Sequence, residues 1–351
     1  MITDLTTSWR MRFVVLSVLL LGGVASAPAQ TTPTLHVSVL ELEGFVAVGG
    51  EKTGAAGLYR HKTDTSWAHL GWGTTRNFGL DAVPSDPGAI FLACGNGVLR
   101  TLDGGTSWKI TTGWEITEVL DVAVDPNAPT HVYAATAYGV WHSPNLGDTW
   151  TEVNAGIPAP QSTFTQTIAV DQRHAGHLVV GSEGGLFRTT SGGANWAPVG
   201  PRERAIREVT QSTASPQLWV AGTEEKGVMI SRDGGKTWSS VEAGIETVHA
   251  VAVDPTDPDR LAAAGYEGGV YVSDDGGETW RQTGLLDRRI HALTFDVRRT
   301  GRLWAGTLGD GVFYREEGGK GWEHAGLDGA VVRDMQFFEI PSSEGVESDA
   351  R

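Results

Sequence analysis

Four nitrogen-bearing side chains recur at one fixed spacing in the second half of the sequence. Arg207, His249, His291 and Arg333 follow one another at intervals of 42 residues. Arginine presents paired donors in a fixed fork that fits a carboxylate or a phosphate. If a repeated fold brings these four positions to the same height, they form a cationic sector on an otherwise acidic protein. The spacing therefore predicts a site for an anionic ligand.

Other charged residues occupy neighbouring positions of the same repeat. Further basic residues lie shortly before Arg207 and His291 in the sequence, and they are Arg202, Arg204, Arg288 and Arg289. Carboxylates recur at one equivalent loop position as Glu183, Glu224 and Glu267, with Asp310 nearby. Two alternatives stay open. The arginines could pair with Glu203, Glu208, Asp287 and Asp334 and only solvate the rim. Two of the carboxylates could instead serve a glycosidase, which needs a pair roughly 5 to 9.5 Å apart.

Two tryptophans could stack on a sugar. However, Trp72 and Trp114 align with apolar residues such as Ile157 and Ile245, each directly after a glycine. We therefore expect both to pack as apolar residues.

The elements that position these residues are seven copies of one hairpin. Segments such as GVMISRDGGKTW and GVYVSDDGGETW align without a gap. Each copy ends in a tryptophan, and these are Trp67, Trp108, Trp150, Trp196, Trp238, Trp280 and Trp322. Around each hairpin lie short β runs separated by Gly, Asp and Pro, four to a unit, which is typical of a propeller blade. The sequence predicts an all-β, seven-bladed β-propeller of four-stranded antiparallel blades.

The repeat predicts one domain over residues 30–341, because a single blade cannot bury both faces of its sheet. Residues 35–42 and 331–340 both resemble strands near the ring closure. One of them must complete the first blade, beside strands around Val46 and Tyr59, and the other could add an extra strand. Correspondingly, either Arg333 or His36 completes the ring of residues at the channel mouth.

The recurring S/T-x-D-x-G-x-T-W pattern is explained by folding. An Asp such as Asp103, Asp233 or Asp275 can accept hydrogen bonds from the backbone of its own turn, and the Gly pair supplies positive φ. The closing Trp packs between sheets. We expect weaker turns where Asn145 and Ser191 replace the Asp. Because this end of the blades hardly varies, we expect function at the other end, where the loops differ.

Composition excludes several classes of function. The 351 residues include 47 Gly and 1 Cys, and their net charge is −15. One cysteine excludes an intramolecular disulfide framework and a CxxC site. The acidic balance argues against nucleic acid or an anionic membrane as partner. We expect no metal, no cofactor and a monomer.

The N-terminus has the pattern of a secretory signal over residues 1–29. Arg10 and Arg12 precede an apolar run, and Ala27 and Ala29 form a small-residue cleavage site. The run is too short for a membrane span, which needs roughly 20 residues. We expect an exported protein, periplasmic or extracellular, with a disordered polar tail over residues 342–351.

These seven hairpins resemble the BNR or Asp-box repeat of a propeller superfamily. That resemblance implies the fold but not one activity, since the superfamily includes sialidases, xyloglucanase-type hydrolases, sortilin-type receptors and photosystem II assembly factors. A sialidase would carry an FRIP-like arginine motif, which the sequence lacks. Xyloglucanase-type enzymes use two facing propellers. The architecture is most similar to the assembly factors, which bind protein partners. The resemblance therefore favours a binding or assembly module, with a glycan-active hydrolase or lyase as the alternative.

Overall fold

The computed structural model describes residues 32–42, 56–63, 65–71, 73, 76–159, 164–202 and 204–340. The expected secretory signal, the polar tail, Val46 and Glu203 lie outside these residues. The described chain forms 28 strands in seven sheets of four. Its described residues include no helix long and apolar enough to cross a membrane.

Each sheet is one blade, and its strands follow one another from the channel outward. Blade 1 contains β28 (Ala330–Phe338), β1 (Thr34–Leu42), β2 (Gly57–Thr63) and β3 (Ser66–Leu70). Blade 2 contains β4 (Asn77–Ala82), β5 (Ile90–Cys94), β6 (Gly97–Thr101) and β7 (Lys109–Ile110). Blade 3 contains β8 (Val119–Val124), β9 (Val132–Thr136), β10 (Gly139–Ser143) and β11 (Thr151–Glu152). Blade 4 contains β12 (Thr165–Val170), β13 (Leu178–Ser182), β14 (Gly185–Thr189) and β15 (Ala197–Arg202).

The remaining three blades have the same order. Blade 5 contains β16 (Ile206–Gln211), β17 (Trp219–Thr223), β18 (Val228–Ser231) and β19 (Ser239–Val241). Blade 6 contains β20 (Ala250–Val253), β21 (Leu261–Ala264), β22 (Val270–Ser273) and β23 (Arg281–Gly284). Blade 7 contains β24 (Ile290–Phe295), β25 (Leu303–Thr307), β26 (Val312–Arg315) and β27 (Glu323–His324). The inner strands contact one another around a closed circle. The predicted seven-bladed propeller is confirmed.

The ring closes inside blade 1, where the two ends of the chain pair. β28 and β1 are antiparallel, with Leu35 opposite Phe337 and Ser38 opposite Asp334. β2 pairs with the other edge of β1, so the blade is complete at four strands. The expectation of an extra strand was wrong, because both end segments are needed for the same sheet. Arg333 therefore completes the inner ring, and His36 lies on the second strand, stacked on Phe338 at 3.9 Å.

Seven buried hydrophobic clusters hold the blades together, and each one joins two neighbouring sheets. Between blades 4 and 5, for example, Val179 and Leu186 pack with Trp219 and Met229. Both faces of each sheet are covered in this way. β5, β9, β13, β17 and β25 are buried along their whole length. Such double burial makes the ring one cooperative domain rather than seven small ones.

The Asp-box turns are built from one set of hydrogen bonds. In blade 5 the buried Ser231 Oγ accepts from the Gly235 amide at 3.0 Å, and Asp233 accepts from the Thr237 amide at 2.9 Å and from its hydroxyl at 2.7 Å. The pKa of Asp233 is lowered to about 2, mainly because the carboxylate accepts the hydrogen bond from the Thr237 amide. The indole N–H of Trp238 donates to Gly235 O at 3.1 Å. Trp108 and Trp280 make the same bond within their own turns. The indoles of Trp67, Trp196 and Trp322 donate to the backbone of the neighbouring blade instead, and the indole nitrogen of Trp150 is buried without a partner.

A second set of hydrogen bonds links the inner strands of adjacent blades across the channel wall. Asp334 Oδ2 accepts from Leu80 N at 2.8 Å, and Asp81 Oδ2 accepts from Val124 N at 2.8 Å. Further bonds of this kind join Asp121 Oδ2 to Ile168 N at 2.9 Å, Thr167 Oγ1 to Val209 N at 3.2 Å, and Glu208 Oε2 to Val251 N at 2.7 Å. We call these five acceptors the inter-blade belt. Burial raises the pKa of Asp81 to about 7 and of Asp334 to about 6.

The two replaced Asp-box positions provide a stability test. Ser191 Oγ accepts from the backbone amide of Asn195 at 3.2 Å. In blade 5, Asp233 also accepts from the hydroxyl of Thr237, the residue equivalent to Asn195. We expect Ser191→Asp to raise the free energy of unfolding by about 0.5–1 kcal/mol, because a charged acceptor strengthens such bonds. Denaturant unfolding and amide exchange at Asn195 measure the effect. Asn145→Asp is the matched variant. Equal protection of all seven turns in the wild type would contradict the account.

The inter-blade belt provides a pH test. Because the pKa of Asp81 is about 7 in the folded state against 3.8 for the group unperturbed, folding favours its protonated form between these values. The stabilisation that protonated Asp81 gives the folded wild type is therefore lost as the pH rises toward 7. We expect the stability of Asp81→Asn relative to wild type to rise by about 2–3 kcal/mol between pH 5 and 8. Urea unfolding measures it, with the exposed Asp287→Asn as control. A constant difference would contradict the assignment.

Candidate functional site

The inner strands surround a channel cavity of about 630 Å³ at the ring axis. Arg207, His249, His291 and Arg333 all line it. Each lies near the start of an inner strand, at the end of the ring where the variable loops lie. Their equal spacing in the sequence thus corresponds to one height on four consecutive blades. We call this end the channel mouth.

Tyr266 connects the two histidines, and the repeat pattern did not reveal it as a site residue. Its hydroxyl lies 3.0 Å from His291 Nδ1, and its ring stacks on His249 at 3.5 Å with an angle of 11°. The ring centroids of His249 and His291 are 6.0 Å apart. Tyr266 directly precedes Glu267 in the loop between β21 and β22, so its position beside the predicted carboxylate was the available signal.

Both histidines at the mouth are neutral at neutral pH. Burial lowers the pKa of His249 to about 4, and the nearby charges of Arg207 and Arg333 add to the shift. Burial likewise holds the pKa of His291 well below its usual range, and here Arg333 is the leading charge. The positive charge expected for this sector therefore comes from the arginines. The histidines and Tyr266 contribute neutral hydrogen-bonding groups.

Arg207 is neutralised by two loop carboxylates. Its guanidinium contacts Glu224 and lies 3.4 Å from Glu183, which also accepts from Gln166 Nε2 at 2.8 Å. These two glutamates were predicted at equivalent loop positions, and the structure brings them together on one arginine. The formal charges of one arginine and two glutamates leave this cluster with a net charge of −1.

The ion pairs of the mouth arginines differ from those that the sequence offered as an alternative to ligand binding. Glu208 and Asp334 belong to the inter-blade belt and accept backbone N–H groups instead. The described residues include no ion pair of Asp287, and Arg288 pairs with Asp310 at 3.3 Å. The cause is the strand pleat, because successive residues of an inner strand point in opposite directions. Arg207 and Glu208, or Arg333 and Asp334, thus face different surroundings.

Arg333 hydrogen-bonds through its guanidinium to Tyr266 at the mouth but is not matched by a carboxylate among the described residues. Its guanidinium lies 5.5 Å from the centre of the Phe78 ring, which Arg76 also approaches at 5.9 Å. Within the described part of the chain, no carboxylate lies within ion-pair distance of Arg333. Its Nε is buried without a hydrogen-bond partner, as are Arg207 Nε and His249 Nδ1. Buried donors without acceptors are costly, so the mouth is suited to a ligand that supplies acceptor atoms.

The other predicted residues lie farther out. Arg289 and Glu267 are exposed, and Arg288 faces Asp310. None of these four is among the residues that line the cavity.

Trp114 does not pack in the way expected from its alignment. It projects from the connection between blades 2 and 3 with 91% of its surface exposed, whereas the equivalent Ile157 is buried at 6% exposure. The prediction of apolar packing was therefore wrong for Trp114. Trp72 lies outside the described residues.

Known proteins similar to this chain include both binding proteins and enzymes. Residues 184–301 match the family model described as Sortilin, neurotensin receptor 3. A xyloglucanase from Paenibacillus sp is 28% identical over 201 residues, covering 42% of this chain and 19% of the enzyme. The chain thus spans about a fifth of that relative's length.

Solved structures that share the fold include an enzyme and a peptide-binding protein. The GH74 enzyme of Niastella koreensis has a TM-score of 0.65 at 17% identity, over 87% of this chain and 55% of that one. YCF48 bound to D1 peptide has a TM-score of 0.58 at 18% identity, over 78% of this chain and 96% of that one. At these identities the likeness shows the propeller fold alone.

The electrostatics of the mouth can be tested by titration. We expect His249 to titrate with a midpoint near pH 4 in the wild type. Removing the positive charge with Arg333→Gln should raise the pKa of both His249 and His291, because that charge disfavours the imidazolium. NMR of isotope-labelled histidine measures both midpoints, with the exposed Lys236→Gln as control. A wild-type midpoint for His249 near the ordinary histidine value of about 6.5, or midpoints unmoved by Arg333→Gln, would contradict the account.

Proposed function

We propose that this protein is an exported binding or assembly module whose partner presents an anionic group at the channel mouth. The observation that carries the proposal is Arg333, a cavity-lining guanidinium whose Nε is buried and unpaired. His249 Nδ1 offers a second buried nitrogen without a partner. A carboxylate supplies oxygen acceptors for such groups and balances the arginine charge.

A carboxylate on a protein partner fits the mouth better than a free small anion. The cavity of about 630 Å³ has room for several side chains. At this end of the ring stand exposed aromatic residues, among them Trp114 and Phe164, and aromatic rings are common in protein interfaces. That YCF48, a propeller of similar fold, has been solved with the D1 peptide bound supports a peptide as partner.

Hydrolysis of a glycan is the second candidate, favoured by the similarity to a xyloglucanase and to a GH74 enzyme. A glycosidase needs one carboxyl group held as an acid and a second held as a base or nucleophile. At this mouth both Glu183 and Glu224 contact the same arginine, so neither is set apart as an acid or as a base. The geometry therefore supports binding over hydrolysis.

Export rests on the sequence of residues 1–29, with its arginines, apolar run and small-residue cleavage site. An exported monomer would meet its partner outside the cytoplasm. The mature chain is acidic, so the arginine side chains at the mouth differ in sign from most of the surface. Such a contrast orients an acidic partner toward the mouth and away from the rest of the ring.

The proposal is tested with an array of acidic peptides in two forms, one with a free C-terminal carboxylate and one amidated. We expect the wild type to retain a subset of the free-carboxylate peptides and to bind their amidated copies less tightly. Arg333→Gln should weaken binding about tenfold, because one charge-assisted hydrogen bond contributes about 1.5–3 kcal/mol. Fluorescence polarisation gives the dissociation constants.

Two comparisons make the result decisive. Lys236→Gln removes a positive charge from an exposed turn at the other end of the ring and should leave binding unchanged. Xyloglucan incubated with the wild type should release no reducing ends. Equal binding by wild type and Arg333→Gln would refute the role of the mouth, and release of reducing ends that depends on Glu224 would establish the hydrolase instead.

A further inference from the structure

A cluster of metal-ligand residues lies in blade 4, at the opposite end of the inner strand from the mouth. It is formed by Asp171, His174 and His177, which occupy the loop between β12 and β13. One ligand atom from each residue can be chosen so that all three lie within 4.8 Å of one another. The described residues contain one such group of three.

The loop that carries these residues is firmly anchored. Asp171 Oδ1 accepts from the amides of Arg173 at 2.8 Å and His174 at 3.1 Å. The loop is also bound to blade 3, where Asp125 Oδ2 accepts from Gly176 N at 2.7 Å and Asn127 Nδ2 donates to Asp171 O at 2.9 Å. The Asp171 side chain is 8% exposed, so its carboxylate is held in a fixed position.

In blades 6 and 7 the same loop compensates its aspartate with arginine. Asp296 lies 3.0 Å from Arg298, and Asp254 lies 3.9 Å from Arg260. In blade 4 the ion-pair partner of Asp171, among the described residues, is His174 at 3.1 Å. Arginine has no lone pair for a metal, whereas a neutral imidazole nitrogen binds one. The blade 4 loop therefore differs from those of blades 6 and 7 in the property that metal binding needs.

We propose that Asp171, His174 and His177 bind a divalent transition-metal ion of the Zn²⁺ type. One carboxylate oxygen and two imidazole nitrogens form a ligand set that such ions accept, with water completing the shell. The rings of His174 and His177 are already stacked, with centroids 5.0 Å apart. Metal–ligand bonds of about 2.0–2.2 Å require the ligand atoms to approach one another further. The His174 side chain, 56% exposed, can rotate to allow this.

Such an ion would cross-link the loop between β12 and β13, because all three ligands come from that loop. It supplies the positive charge that arginine supplies in blades 6 and 7. The site does not involve Arg333, His249 or Tyr266, so the metal proposal and the proposed function are tested independently. No metal was expected from the sequence, and these three residues were not among the candidate site residues.

Calorimetric titration of the untagged full chain with ZnCl₂ tests the proposal. We expect one Zn²⁺ per chain, and we expect His174→Gln and His177→Gln each to weaken binding more than tenfold. His131→Gln is the matched control, because His131 occupies the position of His177 in blade 3 and contacts His142 at 3.0 Å. Its affinity for Zn²⁺ should equal that of the wild type.

A structural readout separates a built site from surface binding. X-ray absorption at the zinc edge should show two imidazole ligands in the wild type, and saturating Zn²⁺ should raise the Tm of the wild type but not of His177→Gln. The proposal is overturned if the wild type binds no Zn²⁺, if His131→Gln loses as much affinity as His177→Gln, or if the absorption spectrum shows oxygen ligands only.

Discussion

The antiparallel pairing of β28 with β1 is the constraint on which the rest of the molecule depends. Without it blade 1 would lack its inner strand, and blades 7 and 2 would each lose a hydrophobic interface. The same pairing places Arg333 of blade 1 beside Phe78 of blade 2 and Tyr266 of blade 6. Ring closure therefore completes both the core and the mouth, and no blade alone contains either.

Burial explains the shifted pKa values of the carboxylates and histidines along the channel wall. Water reaches the inner strands poorly, so the charged form of any group there is disfavoured. Along the inter-blade belt this raises the pKa of the carboxylates, and at the mouth it lowers the pKa of His249 and His291. Arginine keeps its charge in such a place, since its pKa is far above neutrality. The result is a mouth where charge resides on a few guanidinium groups and neutral rings fill the space between them.

The repeat in the sequence predicted the fold and the height of four mouth residues, because an interval of 42 residues returns the chain to the same point of the next blade. The sequence repeat could not predict which way adjacent side chains of a strand point after a β-bulge. In blade 2, where the register shifts between Asn77 and Leu80, the belt carboxylate is Asp81. Nor could it find Tyr266, whose partners come from two blades, or the order of strands in blade 1. Those features depend on contacts between repeats, which a single repeat does not encode.

The central claim is that ring closure creates a carboxylate-binding mouth from Arg333 and its neutral neighbours. The most direct measurement is a crystal structure of the ring soaked with a short dicarboxylate such as glutarate. The account predicts electron density for one carboxylate within hydrogen-bond distance of Arg333 and His249. Density confined to the exposed arginines such as Arg289, or a mouth that stays free of the anion at saturating concentration, would contradict it.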